Sequence, residues 1–245
     1  MNVLEVESLR KVYPAFELKE VSFAVPEGAV MGFIGRNGAG KSTTLKSILG
    51  LVHPDGGTVR WRGEDVRKCE KSFKENIGVV LGGVDFYPKK KLRTITDVTK
   101  KFYHNWDEAK YQHYCKLFSL DSEKRVDQLS SGMKVKYLIA MALSHNARLL
   151  ILDEPTSGLD PVSRDELVTL FQSIVADGTR SILFSTHITS DLEKCATHIA
   201  FIKDGAIVHT GTIGDFMTSY SDKGDTLEEI IVSVERRELD ESAII

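Results

Sequence analysis

The chain has 245 residues, 42% of them hydrophobic and 27% charged, with 32 Lys and Arg against 35 Asp and Glu for a formal charge of −3. That length and balance suit a folded protein that buries a substantial core, and they exclude an intrinsically disordered one. A charge this near zero gives no reason to expect a nucleic-acid partner, and no apolar run approaches the ~18 residues of a membrane-spanning helix.

In chain order, Val3–Glu7 and Val21–Val25 alternate apolar and polar residues, the pattern of half-buried strands. The opening Met1-Asn2-Val3-Leu4-Glu5 lacks the basic and apolar regions of a secretory leader. Val30–Ile34 is wholly apolar apart from Gly32, as expected of a strand covered on both faces, and Ser42–Gly50 reads as a helix after it. From about Asp97 to Ser144 the spacing is helical, notably in Asp107–Phe118 and Met133–Leu143. Apolar runs then return at Leu149–Leu152, Ser181–Ser185, Ile199–Ile202 and Ala206–Val208, with an amphipathic helix over Asp165–Ala176. Gly211–Gly224 reads as a linker and Thr226–Arg236 as one short amphipathic helix. Alternating strands and helices imply an α/β fold whose sheet is mostly parallel, interrupted by a helical insertion. Cys69, Cys115 and Cys195 lie far apart without metal-ligand spacing and read as free thiols of a reducing compartment.

Two motifs carry chemistry. Gly35-Arg36-Asn37-Gly38-Ala39-Gly40-Lys41-Ser42, followed by Thr43, fits the phosphate-loop pattern between an apolar strand and a helix. Its glycines let backbone N–H groups from Asn37, Gly38, Ala39, Gly40 and their neighbours turn toward one anion, and the helix start adds its positive dipole end. In that setting Lys41 reaches the β- and γ-phosphates and the Ser42 hydroxyl holds Mg²⁺. The second motif is Leu149–Leu152 running into Asp153 and Glu154, which puts two acids at the sheet's carboxyl edge. Asp153 suits Mg²⁺ through its water shell, and Glu154 suits polarising a water in line with the γ-phosphate.

Leu129-Ser130-Ser131-Gly132-Met133 lies between these motifs, and Pro155-Thr156-Ser157-Gly158-Leu159-Asp160 and Ser185-Thr186-His187 follow them. In this order the chain resembles the ATPase subunits of ATP-binding cassette transporters over roughly residues 1–215. The resemblance implies a P-loop NTPase core with an N-terminal antiparallel β subdomain and an inserted α-helical subdomain. Residues 1–85 would form the first part of the core, 86–145 the helical subdomain, 146–215 the second part and 216–245 a C-terminal tail. It implies ATP and Mg²⁺ as ligands and hydrolysis by Glu154, His187 and Lys41. It also implies a second ATPase subunit, identical or related, across whose interface Ser130, Ser131, Gly132 and Asp160 help to hold nucleotide. Tyr13 matches the family's adenine-stacking aromatic, with Phe16 its nearest competitor. A separate transmembrane permease and a place at the cytoplasmic face of the plasma membrane follow from the same resemblance, with no nucleic acid involved.

The sequence departs from the family pattern twice. Its signature reads LSSGM, with Ser131 replacing a glycine and Met133 a glutamine, and Met133 has no side-chain N–H to donate. Gly82-Gly83 stands where the family's Q-loop glutamine should follow Ile77–Leu81, and Asp85 is the nearest substitute. Phe184–Glu193 and Asn105–Glu108 resemble bacterial exporters of amphipathic or antimicrobial peptides, of the phenol-soluble-modulin exporter type. The basic and aromatic stretch around Gly82–His104, with Lys89, Lys90, Lys91, Arg93, Phe86, Tyr87, Phe102 and Tyr103, would face the permease. A soluble cassette ATPase acting as a switch and an importer subunit are the competing expectations.

Overall fold

A computed structural model describes residues 1–81 and 87–235. Along the chain the strands and helices are β1 (Asn2–Tyr13), β2 (Phe16–Pro26), β3 (Val30–Ile34), α1 (Lys41–Ile48), β4 (Gly56–Trp61), β5 (Glu64–Asp65), α2 (Glu70–Glu75) and β6 (Ile77–Val80). The helices α3 (Leu92–Thr99), α4 (Glu108–Leu117) and α5 (Ser131–Ser144) follow. Then come β7 (Leu149–Asp153), α6 (Pro161–Val175), β8 (Ser181–Thr186), α7 (Thr189–Cys195), β9 (His198–Lys203), β10 (Ala206–Thr212), α8 (Ile213–Ser219) and α9 (Leu227–Glu235).

Two sheets form. An antiparallel one runs β2-β1-β4-β5, and a second runs β10-β9-β3-β8-β7-β6. In the second, β9, β3, β8, β7 and β6 are mutually parallel, and only the edge pair β9–β10 is antiparallel. This is the α/β arrangement expected from the sequence, with the antiparallel sheet at the N-terminal side and only helical elements and loops described between β6 and β7.

The period of two along each central strand explains why the sheet is covered on both faces. Met31, Phe33, Ile151, Leu183 and Ile202 point to one side, where Leu45 and Ile48 of α1 and the apolar face of the antiparallel sheet meet them. Val30, Ile34, Leu150, Leu152, Ile182, Phe184 and Phe201 point to the other, packed by α5, α6 and α7 and by Phe216, Leu227 and Ile230 of the C-terminal helices. The insertion has its own core of Leu92, Ile95, Tyr111, Val126, Leu129 and Tyr137.

The sequence reading does not include β4, β5, α2 or α7, and two further details differ from it. The helix expected from Asp165 begins at Pro161, because the Asp160 carboxylate accepts from the Val162 and Ser163 amides and Pro161 occupies the first turn. The stretch read as a linker contains α8, which opens on a reciprocal cap. Thr212 Oγ1 accepts from the Asp215 amide at 3.0 Å while Asp215 takes the Thr212 hydroxyl at 2.7 Å. Gly82, Asp85 and Phe86 lie outside the described residues.

Candidate nucleotide site

The parallel strands β3, β7 and β8 end on one edge of the sheet, and each continues into a segment that the sequence singles out. After β3 the loop from Gly35 winds back with Gly38 and Gly40 at φ 86° and 114°, backbone that glycine adopts without strain. Gly40 leaves no room for a larger residue, since a Cβ there would come 2.6 Å from Leu18 Cδ2 and 2.8 Å from Phe16 Cζ. The loop ends at α1, whose first residue is Lys41.

Lys41 is 4% exposed. Its Nζ donates to the Gly35 carbonyl at 2.7 Å and to the Arg36 carbonyl at 3.2 Å, and lies 3.4 Å from Glu154 Oε1. A buried ammonium requires such partners, because taking it from water unpaired is costly. The same Glu154 oxygen is 3.3 Å from His187 Nδ1. Ser42 Oγ donates to Asp153 Oδ1 at 3.1 Å, and Ser185 Oγ donates to that oxygen at 2.6 Å. Glu154 sits at φ 48°, a conformation that costs a non-glycine residue about 1–2 kcal/mol. Its amide is held by the Ser185 hydroxyl at 2.9 Å and by the Ser185 carbonyl at 3.2 Å. Asp153 is 6% exposed, whereas the His187 side chain is 41% exposed. The cluster therefore grades from a buried floor to an open rim.

Above it is a cleft of about 430 Å³ lined by Ala15, Phe16, Asn37, Gly38, Gly40, Lys41, Ser42, Thr43 and Glu154. Phe16, and not Tyr13, lines this cleft. The Tyr13 ring instead carries the Lys11 ammonium 5.6 Å from its centroid. Ala39 is buried, and its carbonyl accepts from the Gly205 amide at 3.1 Å.

Among the predicted residues, Lys41, Ser42, Asp153, Glu154 and His187 come together. Ser130, Ser131, Gly132 and Asp160 do not line the cleft. Ser130 caps the 14-residue α5 by accepting from the Met133 amide at 3.2 Å. Gly132 packs beside Leu159 and Ser163, so the starts of α5 and α6 are neighbours. The Ser163 hydroxyl and amide hold the Asp160 carboxyl below its ordinary pKa. Sequence reasoning missed a role for Ser185. Its signal was the pairing of β7 with β8, which sets Asp153 opposite Ser185.

Ser42 and Asp153 supply hard oxygen donors within 3.1 Å of each other, a chemistry that suits Mg²⁺. No group of three or more His, Cys, Asp or Glu side chains placed to hold a metal occurs among the described residues. An ion here would complete its shell with phosphate and water oxygens, as Mg²⁺ does at nucleotide sites.

The ABC transporter family profile matches residues 18–157, more than half of the chain. This chain belongs to the ABC transporter family. Its similarity to the bacitracin transport ATP-binding protein BcrA of Bacillus licheniformis is 32% identity over 210 residues, covering 84% of this chain and 69% of that protein. It is 30% identical over 237 residues to the linearmycin resistance ATP-binding protein LnrL of Bacillus subtilis (strain 168), covering 94% and 75%. A solved ATP-binding subunit of an ABC transporter superposes with a TM-score of 0.84 at 28% identity, over 96% of this chain and 100% of the other. As an ABC ATPase the chain binds and hydrolyses ATP.

A second groove, of about 450 Å³, opens where the insertion meets the core and is lined by Leu49, Ile77, Val79, Ile95, Leu138 and Met141, with Tyr87 and Tyr103. Tyr103 stacks on His145 with ring centroids 3.8 Å apart. Of the cations in the stretch predicted to face a permease, Lys91 and Arg93 pair with Glu123 at 2.8 Å each. No helix among the described residues is long and apolar enough to cross a membrane.

Proposed function

We propose that this chain is the ATP-hydrolysing subunit of an exporter, acting as one of two cassettes beside a separate transmembrane permease at the cytoplasmic face of the plasma membrane. The observation that carries the proposal is one carboxylate oxygen of Glu154 within 3.4 Å of Lys41 Nζ and 3.3 Å of His187 Nδ1, at the mouth of the phosphate loop. The amides from Asn37 to Thr43 receive the β- and γ-phosphates. Lys41 exchanges Glu154 for phosphate oxygens and stabilises the charge that develops on them. Glu154, freed from the ammonium, accepts the proton of the attacking water, and His187 holds the γ-phosphate and that water in line. Ser42 and Asp153 would hold Mg²⁺, which neutralises charge on the phosphate oxygens when bound.

Ser130, Ser131 and Gly132, at the start of α5, would meet the partner cassette's nucleotide, and a helix N-terminus offers an anion the same amide donors and dipole as the phosphate loop. Asp160, which caps the neighbouring α6, would signal across that interface. Tyr13, or Phe16 from within the cleft, would stack on adenine. The apolar groove with its rim of exposed Tyr87 supports permease docking on the helical side. Export of amphipathic or antimicrobial peptides is the narrower proposal, supported by relatives named for bacitracin transport and linearmycin resistance.

The test is Glu154→Gln. Phosphate release should fall by about 100-fold or more, the usual worth of a general base, with ATP affinity retained. Unchanged turnover would remove Glu154 from the reaction.

A further inference from the structure

Both acids at the sheet edge share one hydroxyl partner. Ser185 is wholly buried on β8, directly across from Asp153 in the parallel register. It donates its proton to Asp153 Oδ1 at 2.6 Å and accepts the Glu154 amide at 2.9 Å. Asp153 Oδ1 also takes the Ser42 hydroxyl at 3.1 Å. Two hydroxyls on one oxygen fix the rotation of the carboxylate, and the second oxygen is the one left for an ion or its water shell. The Glu154 amide belongs to a residue at φ 48°, where backbone strain favours relaxation unless the surroundings hold it. The turn that this φ creates is what sets the Glu154 carboxylate beside Lys41 and His187.

We propose that Ser185 is a positioning residue for ATP hydrolysis, which orients the Asp153 carboxylate and locks the strained backbone of Glu154 through a single hydroxyl. The inference rests on the assignment of Glu154 and Asp153 above. It differs from a packing role in a specific way. The β8 backbone pairs with β3 and β7 without the hydroxyl, and the Ser185 carbonyl still meets the Glu154 amide at 3.2 Å. An alanine therefore leaves the fold and the phosphate loop in place while loosening the two acids.

The experiment compares Ser185→Ala, Ser185→Thr and Glu154→Gln in the full chain, with phosphate release, ATP titration and Mg²⁺ titration. For Ser185→Ala, kcat should fall about tenfold, KM for ATP should stay within about twofold, and half-saturating Mg²⁺ should rise, since misplacement of reacting groups acts on the chemical step. Ser185→Thr, which keeps the hydroxyl, should recover most of the rate. If its extra methyl prevents folding, Ser185→Cys, with its weaker donor, should fall between wild type and alanine. Adding Ser185→Ala to Glu154→Gln should cost less than it does in wild type, because one of its two targets is already lost. An alanine variant with wild-type kcat and Mg²⁺ dependence, alongside an inactive Glu154→Gln, overturns the proposal and leaves the general-base assignment standing. An active Glu154→Gln overturns that assignment instead.

Discussion

The sheet's carboxyl edge and the helical insertion both bury polar side chains, and the two do so in opposite ways. At the edge the buried groups include two charges, Lys41 and Asp153, beside the Ser185 hydroxyl, a strained glutamate and a glycine-bent loop. In the insertion they are neutral hydroxyls on regular helices. Thr96 Oγ1 lies 2.8 Å from the Tyr111 hydroxyl and 2.9 Å from that of Tyr137, which also donates to the Leu92 carbonyl at 3.2 Å. Burial pushes both tyrosines well above the ordinary phenol pKa, so they stay protonated as donors. A buried polar network by itself does not mark a functional site. The edge is marked by charges whose present partners a ligand can replace, beside a cleft that admits one. The insertion's network is closed on itself and contributes rigidity.

Three further experiments sharpen that contrast. The largest effect belongs to Gly35→Ala. A Cβ at Gly35 would run into the backbone carbonyl of Ile202, so the loop that holds Lys41 must shift. Nucleotide titration should show ATP binding lost, and chemical denaturation a destabilisation of about 1–3 kcal/mol, the usual cost of overpacking. An intermediate effect belongs to Tyr137→Phe, which removes the hydroxyl joining α3 to α5. Stability should drop by about 1–2 kcal/mol with ATP turnover unchanged. Slower turnover at unchanged stability would break the comparison, because the insertion would then be wired to the chemistry. The smallest effect concerns Cys195, buried at the C-terminal end of α7, whose thiol burial raises to about 12. Iodoacetamide at pH 8 should leave it unmodified in the native chain and modify it after unfolding, since the thiolate is the reactive form. Rapid native labelling would show that the packing of α7 against the sheet opens readily.

Legibility from sequence followed the range of the interactions. The phosphate loop could be read because Gly38, Gly40 and Lys41 act through local backbone geometry next to an apolar strand. Asp153 and Glu154 could be read only together with the phosphate loop, because an apolar strand ending in acids is by itself more often a solvated strand end. Ser185 could not be assigned a role, because a serine in an apolar run acquires its meaning only from the neighbour across the sheet. Phe16 and Tyr13 stood as competitors in sequence, and only the fold places Phe16 in the cleft. The helix α8 was missed because its Gly, Thr and Ser content reads as a linker until the Thr212–Asp215 cap is seen to start it.

By itself, then, the sequence determined the central strands β3, β7, β8 and β9, the longer helices of the insertion and α6, and which loop has the phosphate-loop pattern, while β4, β5, α2, α7 and α8 were not legible in it. The legible features depend on residues close together in the chain. The tertiary structure decided the strand order β10-β9-β3-β8-β7-β6. Setting β8 between β3 and β7 is what brings Lys41, Asp153, Glu154, Ser185 and His187 to one edge. Hydrogen bonding across parallel strands joins residues far apart in sequence, so no local pattern encodes that order. It is selected by the joint burial of both sheet faces.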